Sequence, residues 1–458
     1  MQPIKDAIAE KEPPRQGIPT VSAVFKDGGI LEMVHDPDAR NTRFVLGREG
    51  AWQFQDGVSV GPVHRLVPYS PYNNLIKNDV ILFPSGPEEY ESEEVLLHDI
   101  QTFVHRYVDV SPLFERIASY YVLFSWVYDG FNELPYLRVR GDPGSGKTRF
   151  LLTVGSLCYK PIFASGASTV SPIFRILESF RGTLIIDESD FRLSDEKAEV
   201  VKILNNGNAK GFPVLRSEVS GKGEFNPRAY HVFGPKIVAT RGSFEDRALE
   251  SRFLTEEMGA HRLRDDVPIN LPQSHKAEAL SLRNKLLLFR FRNLHKPKIT
   301  ESLVDRSIEP RLNQIFAPLL SIIADEDAQQ SLKDVARQYH REMVSERGLD
   351  TEAQILEVIQ SLLLSSEDGS LTLADITSRF ADLYGEEYGR KITNKWIGWV
   401  IRRRLHLRTV KSHGAFGIPA SERPKLDLLY ARYGIEAAHA AEADAPPSPP
   451  ESSTSTRG

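Results

Sequence analysis

The chain has 458 residues, a formal net charge of −5, 41% hydrophobic residues and a mean hydropathy of −0.31. At about 150 residues per domain, this length predicts roughly three domains. No apolar run approaches the ~20 residues that cross a bilayer. The single cysteine, Cys158, excludes an internal disulfide framework and a cysteine zinc cluster. The N-terminal residues contain no apolar segment of a secretory signal, so we expect a cytoplasmic protein with no membrane association.

The first part of the chain, residues 1–92, has the pattern of a small β-rich domain. Short strand-like runs separated by glycine turns occupy residues 20–83, and the last of them covers residues 80–83. From Leu96 onward, apolar residues recur at steps of three and four, which predicts helices leading into the next domain from residue 93.

A phosphate-binding loop follows these helices. The sequence GDPGSGKT fits the pattern G-x-x-x-x-G-K-[ST] at every fixed position, between an apolar run and a helical pattern. Glycines let backbone N–H groups approach phosphate oxygens closely. Lys147 is expected to reach the β- and γ-phosphates of ATP, and the Thr148 hydroxyl to ligate Mg²⁺. The predicted nucleotide-binding residues are Gly141, Asp142, Pro143, Gly144, Ser145, Gly146, Lys147 and Thr148.

Two later strands end in residues suited to ATP hydrolysis. The apolar run at 183–186 is followed by Asp187, expected to hold the Mg²⁺ shell, and by Glu188, expected to orient and polarise the attacking water. The alternative interpretation of the run 183–188 is a core strand that meets a polar loop. A second run, 236–239, precedes Thr240, whose hydroxyl is expected either to touch the γ-phosphate or its water, or to cap the next turn.

The order of these motifs resembles the AAA+ ATPases, and particularly the helicase-like ATPases of plasmid, phage and archaeal replication. The motifs are the phosphate loop, Ile-Asp-Glu at 186–188, the strand ending in Thr240, and Ala-Leu-x-Ser-Arg-Phe at 248–253. The resemblance implies an α/β fold whose P-loop AAA+ core, a three-layer αβα arrangement, spans 93–268. It also implies a homo-oligomeric ring, most simply a hexamer, in which Arg252 acts catalytically on the neighbouring subunit's nucleotide. Superfamily three helicases have Asn where this chain has Thr240, which leaves the subfamily open.

The segments around and after this strand add basic candidates. Residues 205–228 are rich in glycine and basic residues, and in similar helicases this insertion is a hairpin that grips DNA. Lys210, Arg216 and Lys222 are therefore either DNA contacts or solvated loop positions. Residues 269–348 are predicted as a helical lid, in which Arg311 either senses the γ-phosphate of bound ATP or is a surface arginine.

The C-terminal residues 349–435 resemble a winged helix. Within its third helix one face is apolar, and the other carries Lys395, Trp399, Arg402 and Arg403. An aromatic residue among cations favours DNA contact, and the alternative is a face that binds protein or only solvent. The Ala, Pro and Ser composition of 436–458 predicts a disordered tail.

Together these patterns predict an ATP- and Mg²⁺-dependent AAA+ motor that acts on DNA, as a replication helicase or initiator of a mobile genetic element. Its expected partners are DNA, further copies of the chain and other replication proteins. One alternative is an ATP-switched DNA-binding loader, regulator or defence protein without helicase activity. Another is a protein remodeller whose winged helix recruits a protein partner.

Overall fold

The computed structural model describes residues 16–61, 63–166, 168–187, 195–219, 225–244, 246–259, 262–296, 298–323, 325–348, 351–365, 371–385, 388, 391–412 and 414–435. The chain forms two compact units, Met1–Asp334 and Val335–Gly458. The predicted domains 1–92 and 93–268 and most of 269–348 fall in the first unit, and the predicted domain 349–435 falls in the second. The predicted tail at 436–458, together with Glu188 and Lys222, lies outside the described residues.

The strands of the first unit are β1 (Gln16–Thr20), β2 (Ser22–Val24), β3 (Ile30–Asp36), β4 (Asn41–Arg48), β5 (Ala51–Gln55), β6 (Val58–Val60), β7 (His64–Pro68), β8 (Tyr136–Arg140), β9 (Ile162–Ser165), β10 (Leu184–Asp187), β11 (Val214–Val219), β12 (Phe225–Tyr230), β13 (Lys236–Thr240) and β14 (Phe253–Glu257). Its helices are α1 (Asn74–Lys77), α2 (Glu93–Tyr107), α3 (Pro112–Val127), α4 (Lys147–Leu157), α5 (Val170–Phe180), α6 (Asp195–Asn206), α7 (Arg247–Glu250), α8 (Ser274–Asn293) and α9 (Pro310–Leu320). The division between the units falls within α10 (Glu326–Gly348).

The N-terminal strands form two small sheets. One is antiparallel, in the order β2-β3-β4-β5, and the other has the order β1-β7-β6, with β1 and β7 parallel. The last strand-like run of the sequence, 80–83, does not form a strand. It makes only an isolated bridge from Ile81 to Ile162, because its neighbouring backbone is taken up by a turn after α1.

The central sheet is parallel, with strand order β14-β8-β13-β10-β9. Numbered along the chain, these five strands lie in the order fifth, first, fourth, third, second. Strands β8 and β13 are almost wholly buried, as expected for a parallel sheet with covered faces. Helix α4 packs against β8, β10 and β13, and α2, α3 and α8 pack against α4. The first unit is therefore a mixed α/β structure built on a parallel sheet, and the three-layer arrangement stays a prediction.

Helix α8, predicted as part of a separate lid, packs inside the first unit. Its Arg290 is 1% exposed and donates from Nε to Glu32 of β3 at 2.7 Å and from Nη2 to Asp129 at 2.7 Å. Lys160 completes the cluster, with its ammonium 3.2 Å from the other Glu32 oxygen. Burial by itself raises the pKa of Asp129, but Arg290 outweighs it and lowers that pKa. These buried charges tie α8 and the N-terminal sheet into the same unit as the central sheet.

The second unit contains α11 (Thr351–Ser365), β15 (Leu371–Thr372), α12 (Leu373–Tyr384), α13 (Asn394–Arg403), β16 (Val410–Ser412), β17 (Ala415–Ile418) and α14 (Arg423–Tyr433). Its strands pair antiparallel in the order β15-β17-β16. The order of helix, strand, two helices and two strands agrees with the predicted winged helix, which stays a prediction, and a C-terminal helix follows it. In neither described unit does any helix combine the length and apolar content of a membrane span.

We predict that Arg290→Met destabilises the first unit by about 3–5 kcal/mol, because it leaves the buried carboxylate of Glu32 and the partly exposed carboxylate of Asp129 without their main partner. The measurement is the free energy of unfolding from denaturant titration. Arg306→Met is the control: Arg306 pairs with Glu301 where both side chains are more than 80% exposed, so its loss is expected to cost under about 1 kcal/mol. Equal costs for the two variants would contradict the role given to Arg290.

Candidate functional site

The phosphate loop connects the end of β8 to the start of α4. Gly144 and Gly146 have φ values of 83° and 95°, in the left-handed region that favours glycine. Gly146 is also the N-cap of α4 and offers no capping side chain, so the first N–H groups of that helix are not covered by a cap. A helix N-terminus of this kind is a site for phosphate oxygens.

Gly141 is required for a different reason, the close approach of another backbone segment. A Cβ at Gly141 would lie 2.4 Å from the carbonyl oxygen of Met258 and 2.9 Å from Ser145 Oγ. Met258 is itself fixed by a 2.7 Å bond from its N–H to the Arg140 carbonyl. The turn after β14 therefore packs against the backbone of the phosphate loop at Gly141.

The side chains of Lys147 and Thr148 are both held by hydrogen bonds at the start of α4. The Lys147 ammonium donates to the carbonyl oxygens of Gly141 at 2.6 Å and Asp142 at 2.7 Å. The Thr148 hydroxyl donates to Asp187 Oδ2 at 2.7 Å, across the gap between α4 and the end of β10. Two predicted Mg²⁺ ligands that are 39 positions apart in the sequence are thus in direct contact.

Thr240 lies at the end of β13 and is 3% exposed. Neither its hydroxyl nor that of Ser145 has a hydrogen-bond partner among the described residues, although both atoms are buried. Buried hydroxyls are normally paired, so two orphaned ones beside a phosphate loop indicate a place for a polar ligand. The alternative role of Thr240, capping the following turn, has no supporting bond.

These residues enclose a cavity of about 360 Å³. Its lining consists of Pro143, Gly144, Gly146, Lys147, Thr148, Arg149, Asp187, Thr240 and Arg241. Arg241 was not found from the sequence. The signal that could have found it is its position, directly after a strand whose carboxyl end meets the phosphate loop.

The donor set fits a magnesium nucleotide. Thr148 and Asp187 supply oxygen ligands only, which suits Mg²⁺, an ion that keeps several waters and takes its remaining ligands from phosphates. Over the described parts of the chain, no cluster of three or more His, Cys, Asp or Glu side chains could hold a metal by itself.

Arg252 lies at the other edge of the sheet. Its carbonyl accepts from the N–H of Tyr136, the first residue of β8, at 2.9 Å, whereas the phosphate loop follows the last residue of that strand. Four steps of about 3.3 Å place this edge ~13 Å from the loop of the same chain. The Arg252 guanidinium donates to Asn205. The pKa of Arg252 is lowered, mainly by burial and secondly by the positive charge of Arg311.

Arg311, predicted as a sensor of γ-phosphate, is near enough to Arg252 to lower the pKa of Arg252, and it does not line the cavity of its own chain. It belongs to the first turn of α9, which begins at Pro310. The sequence could place Arg311 at the start of a helix but could not show which edge of the sheet that helix meets. Its contact with any nucleotide stays a prediction.

The glycine-rich insertion contains an antiparallel hairpin of β11 and β12. Two of its predicted DNA contacts, however, already have partners in the protein. The Lys210 ammonium donates to the Asp129 carbonyl at 2.7 Å, and burial lowers its pKa. Arg216 pairs with Glu199 at 3.1 Å and lies 4.6 Å from the centre of the Phe174 ring. Lys210 precedes the first hairpin strand and Arg216 is its third residue, so both lie within reach of neighbouring elements of the first unit.

Helix α13 of the second unit carries its predicted exposed face. Ile397, Val400 and Ile401 are buried, whereas Trp399 is 47% exposed. The cations Lys395, Arg402 and Arg403 are exposed as well. Arg402 donates to Thr409 at 3.2 Å, which orients its guanidinium toward the strand side of the helix. The four predicted DNA-binding residues of this helix are thus solvent-accessible within their unit.

No family model matches this sequence, and no curated protein matches it. Among solved structures, the C-terminal region (305–718) of NrS-1 is similar at 11% identity and a TM-score of 0.36, covering 85% of this chain and 95% of that one. A full-length MCM homolog from Methanopyrus kandleri is similar at 12% identity and a TM-score of 0.35, over 66% and 68% of the two chains. The Aeropyrum pernix ORC1 protein in complex with DNA has 14% identity and a TM-score of 0.20, over 76% and 94%. Likeness at these scores supports no conclusion about function.

We predict that Lys147→Ala lowers the affinity for ATP, because the loop loses the ammonium that would pair with the β- and γ-phosphates. Loss of a hydrogen bond to a charged group costs about 1.5–3 kcal/mol, which corresponds to roughly 10- to 150-fold. Titration with a fluorescent ATP analogue measures it. Lys276→Ala, at an 83% exposed side chain, removes the same charge elsewhere and is expected to bind as the wild type does.

Proposed function

We propose that this protein is an ATP-hydrolysing AAA+ motor that acts on DNA, as a replication helicase or initiator of a mobile genetic element. The observation that carries the proposal is the convergence of the phosphate loop, Asp187 and Thr240 on one cavity at the carboxyl edge of a parallel sheet. The loop follows β8, Asp187 ends β10 and Thr240 ends β13, and each has the chemistry that phosphoryl transfer needs at its position. The bond broken is the β–γ phosphoanhydride of ATP.

Within this proposal the chain binds the triphosphate with the loop N–H groups and Lys147. Mg²⁺, when bound with ATP, neutralises charge on the β- and γ-phosphates, and Thr148 and Asp187 are the residues that hold it. Glu188, which follows Asp187, polarises the attacking water. Because little covalent chemistry falls to the protein in phosphoryl transfer, positioning and charge stabilisation supply most of the rate.

Hydrolysis is proposed to need a second subunit. The backbone of Arg252 is ~13 Å from its own phosphate loop along β8, and this separation supports a role for Arg252 at a neighbouring subunit's nucleotide in a ring. Arg311 is near enough to Arg252 to interact with it electrostatically, and Asp246 of the same chain supplies a negative charge near Arg252. A ring, with hexamer as the simplest form, would bring the neighbour's triphosphate to this group of charges.

DNA contact is assigned to the second unit. Lys395, Arg402 and Arg403 give three exposed cations on α13, and Trp399 adds an aromatic surface. The overall charge of −5 means that attraction to phosphates must be local, and this helix provides it. We propose that α13 docks on the DNA backbone.

A second candidate is an ATP-switched DNA-binding loader, regulator or defence protein that does not unwind strands. It is favoured by one observation, the internal pairing of Lys210 and Arg216, which leaves these hairpin cations less available to grip DNA. A strand-displacement assay beside an ATPase assay, each with and without single-stranded DNA, separates the two. ATP-dependent unwinding selects the motor, and DNA binding with ATPase but no unwinding selects the switch.

We predict that Glu188→Gln binds ATP as the wild type does and hydrolyses it about 10²- to 10⁴-fold more slowly, because the amide cannot take a proton from water. Steady-state phosphate release and equilibrium nucleotide binding measure the two properties. The control Glu94→Gln makes the same chemical change on the exposed side of α2. Hydrolysis at the wild-type rate by Glu188→Gln would show that another group activates the water.

We predict that the triple variant Lys395→Ala, Arg402→Ala and Arg403→Ala lowers the slope of log affinity against log salt for duplex DNA by up to about 2.7. The reason is that each phosphate contact contributes roughly 0.9 to that slope. The triple variant Arg423→Ala, Lys425→Ala and Arg432→Ala removes the same charge from exposed positions of α14 and serves as the control. An unchanged slope for the α13 variant would remove DNA docking from this helix.

We predict that Arg252→Ala binds ATP normally and loses about 10³-fold or more in turnover, the effect of such an arginine in other phosphoryl-transfer systems. Mixing it with Lys147→Ala is expected to restore part of the activity. In a mixed ring, the intact phosphate loop of one variant meets the intact Arg252 of the other. If light scattering shows mixed oligomers and turnover does not recover, Arg252 does not act across the interface.

A further inference from the structure

The residue after Thr240 leaves the central sheet beside the first residue of the phosphate loop. Thr240 is the register partner of Arg140, the last residue of β8, and the N–H of Gly141 donates to the Thr240 carbonyl at 3.3 Å. Arg241 therefore begins where the loop begins. Arg241 lines the cavity together with Lys147, Thr148 and Asp187.

The backbone that carries Arg241 is anchored by side chains of β8. Arg140 bonds through its guanidinium to Ser243 Oγ, two residues beyond Arg241. The N–H of Phe244 donates to Glu250 at 2.9 Å, and Glu250 is held by the buried Arg138 at 2.7 Å. The strand that leads into the phosphate loop thus also fixes the loop that presents Arg241, which is the support a preorganised site requires.

The cations of the cavity have different surroundings. Lys147 donates to the carbonyls of its own loop, and Arg149 donates to the carbonyls of Pro268 and Ile269. Arg241 is exposed and lines the same cavity as Thr240, the residue before it, and Asp187. A triphosphate held by Lys147 and the metal ligands would extend its γ-phosphate toward these strand ends.

We infer that Arg241 is a catalytic residue that binds the γ-phosphate of ATP within its own subunit, with the Thr240 hydroxyl as a second donor. The orphaned, 97% buried Thr240 hydroxyl is the independent sign that a polar ligand belongs here. The guanidinium stabilises negative charge on the γ-phosphate oxygens as the β–γ bond breaks. This inference rests on the proposed ATP hydrolysis and adds a cis arginine to the trans Arg252.

The first test compares affinities for a non-hydrolysable ATP analogue and for ADP, by competition with fluorescent ADP in the presence of Mg²⁺. Arg241→Ala is expected to lose about 10- to 100-fold in affinity for the ATP analogue and to keep its affinity for ADP, because only the γ-phosphate contact is removed. Arg241→Lys is expected to retain part of the preference. The control Arg306→Ala should match the wild type. Equal losses for both nucleotides, or none, would overturn the inference.

The second test uses subunit mixing, which separates cis from trans residues. Arg241→Ala mixed with Lys147→Ala should show no recovery of ATP hydrolysis, because every site in the mixed ring lacks one or the other residue. Arg252→Ala mixed with Lys147→Ala is the positive control for mixed assembly. Recovery with Arg241→Ala would mean that it acts across the interface and would overturn the cis assignment. A wild-type protein that binds ATP without hydrolysing it would overturn the proposed motor, while the affinity comparison still decides whether Arg241 contacts the γ-phosphate.

Discussion

Parallel pairing of β8 with β13, and of β13 with β10, is the constraint on which the site depends. Because parallel strands end at the same edge, it brings the phosphate loop, Asp187 and Thr240 together without any direct sequence link between them. The 2.7 Å bond from Thr148 to Asp187 closes this arrangement across the sheet edge. A change in strand register by one residue would turn Thr240 away from the cavity.

The length of the strands in this sheet separates the cavity residues from Arg252. Thr240 and Arg241 lie at the carboxyl edge, and Arg252 lies at the amino edge with the base of the hairpin. Strand β13 runs from one edge to the other, from Lys236 to Thr240. The ammonium of Lys236 donates to the carbonyls of Val232 at 2.8 Å and Gly234 at 2.9 Å, in the segment that follows the hairpin. Burial lowers the pKa of Lys236 to about 7. Strand β13 thus links the segment after the hairpin to the cavity at the carboxyl edge.

Outside the site, buried charge fixes how the first unit is assembled. Glu32 belongs to the N-terminal sheet, Lys160 to the loop after α4, and Arg290 to α8. All three residues are at most 2% exposed. Buried ion pairs add little stability over an apolar core, but removing one partner is costly, so they specify which elements must meet. The N-terminal strands and the predicted lid helix therefore belong to the same compact unit as the central parallel sheet.

The sequence by itself determined the features that depend on neighbouring residues. The GDPGSGKT loop between a strand and a helix, the acid Asp187 at the end of β10 and the two-faced α13 could each be placed from local spacing, because backbone N–H geometry and helix periodicity are local properties. Only the tertiary structure decided which distant groups meet. Arg241 joins the cavity, Arg311 lies near Arg252, and Arg290 reaches Glu32 across 258 positions because strand order and packing place them there. No periodic pattern encodes such contacts, since each depends on how separate elements pack.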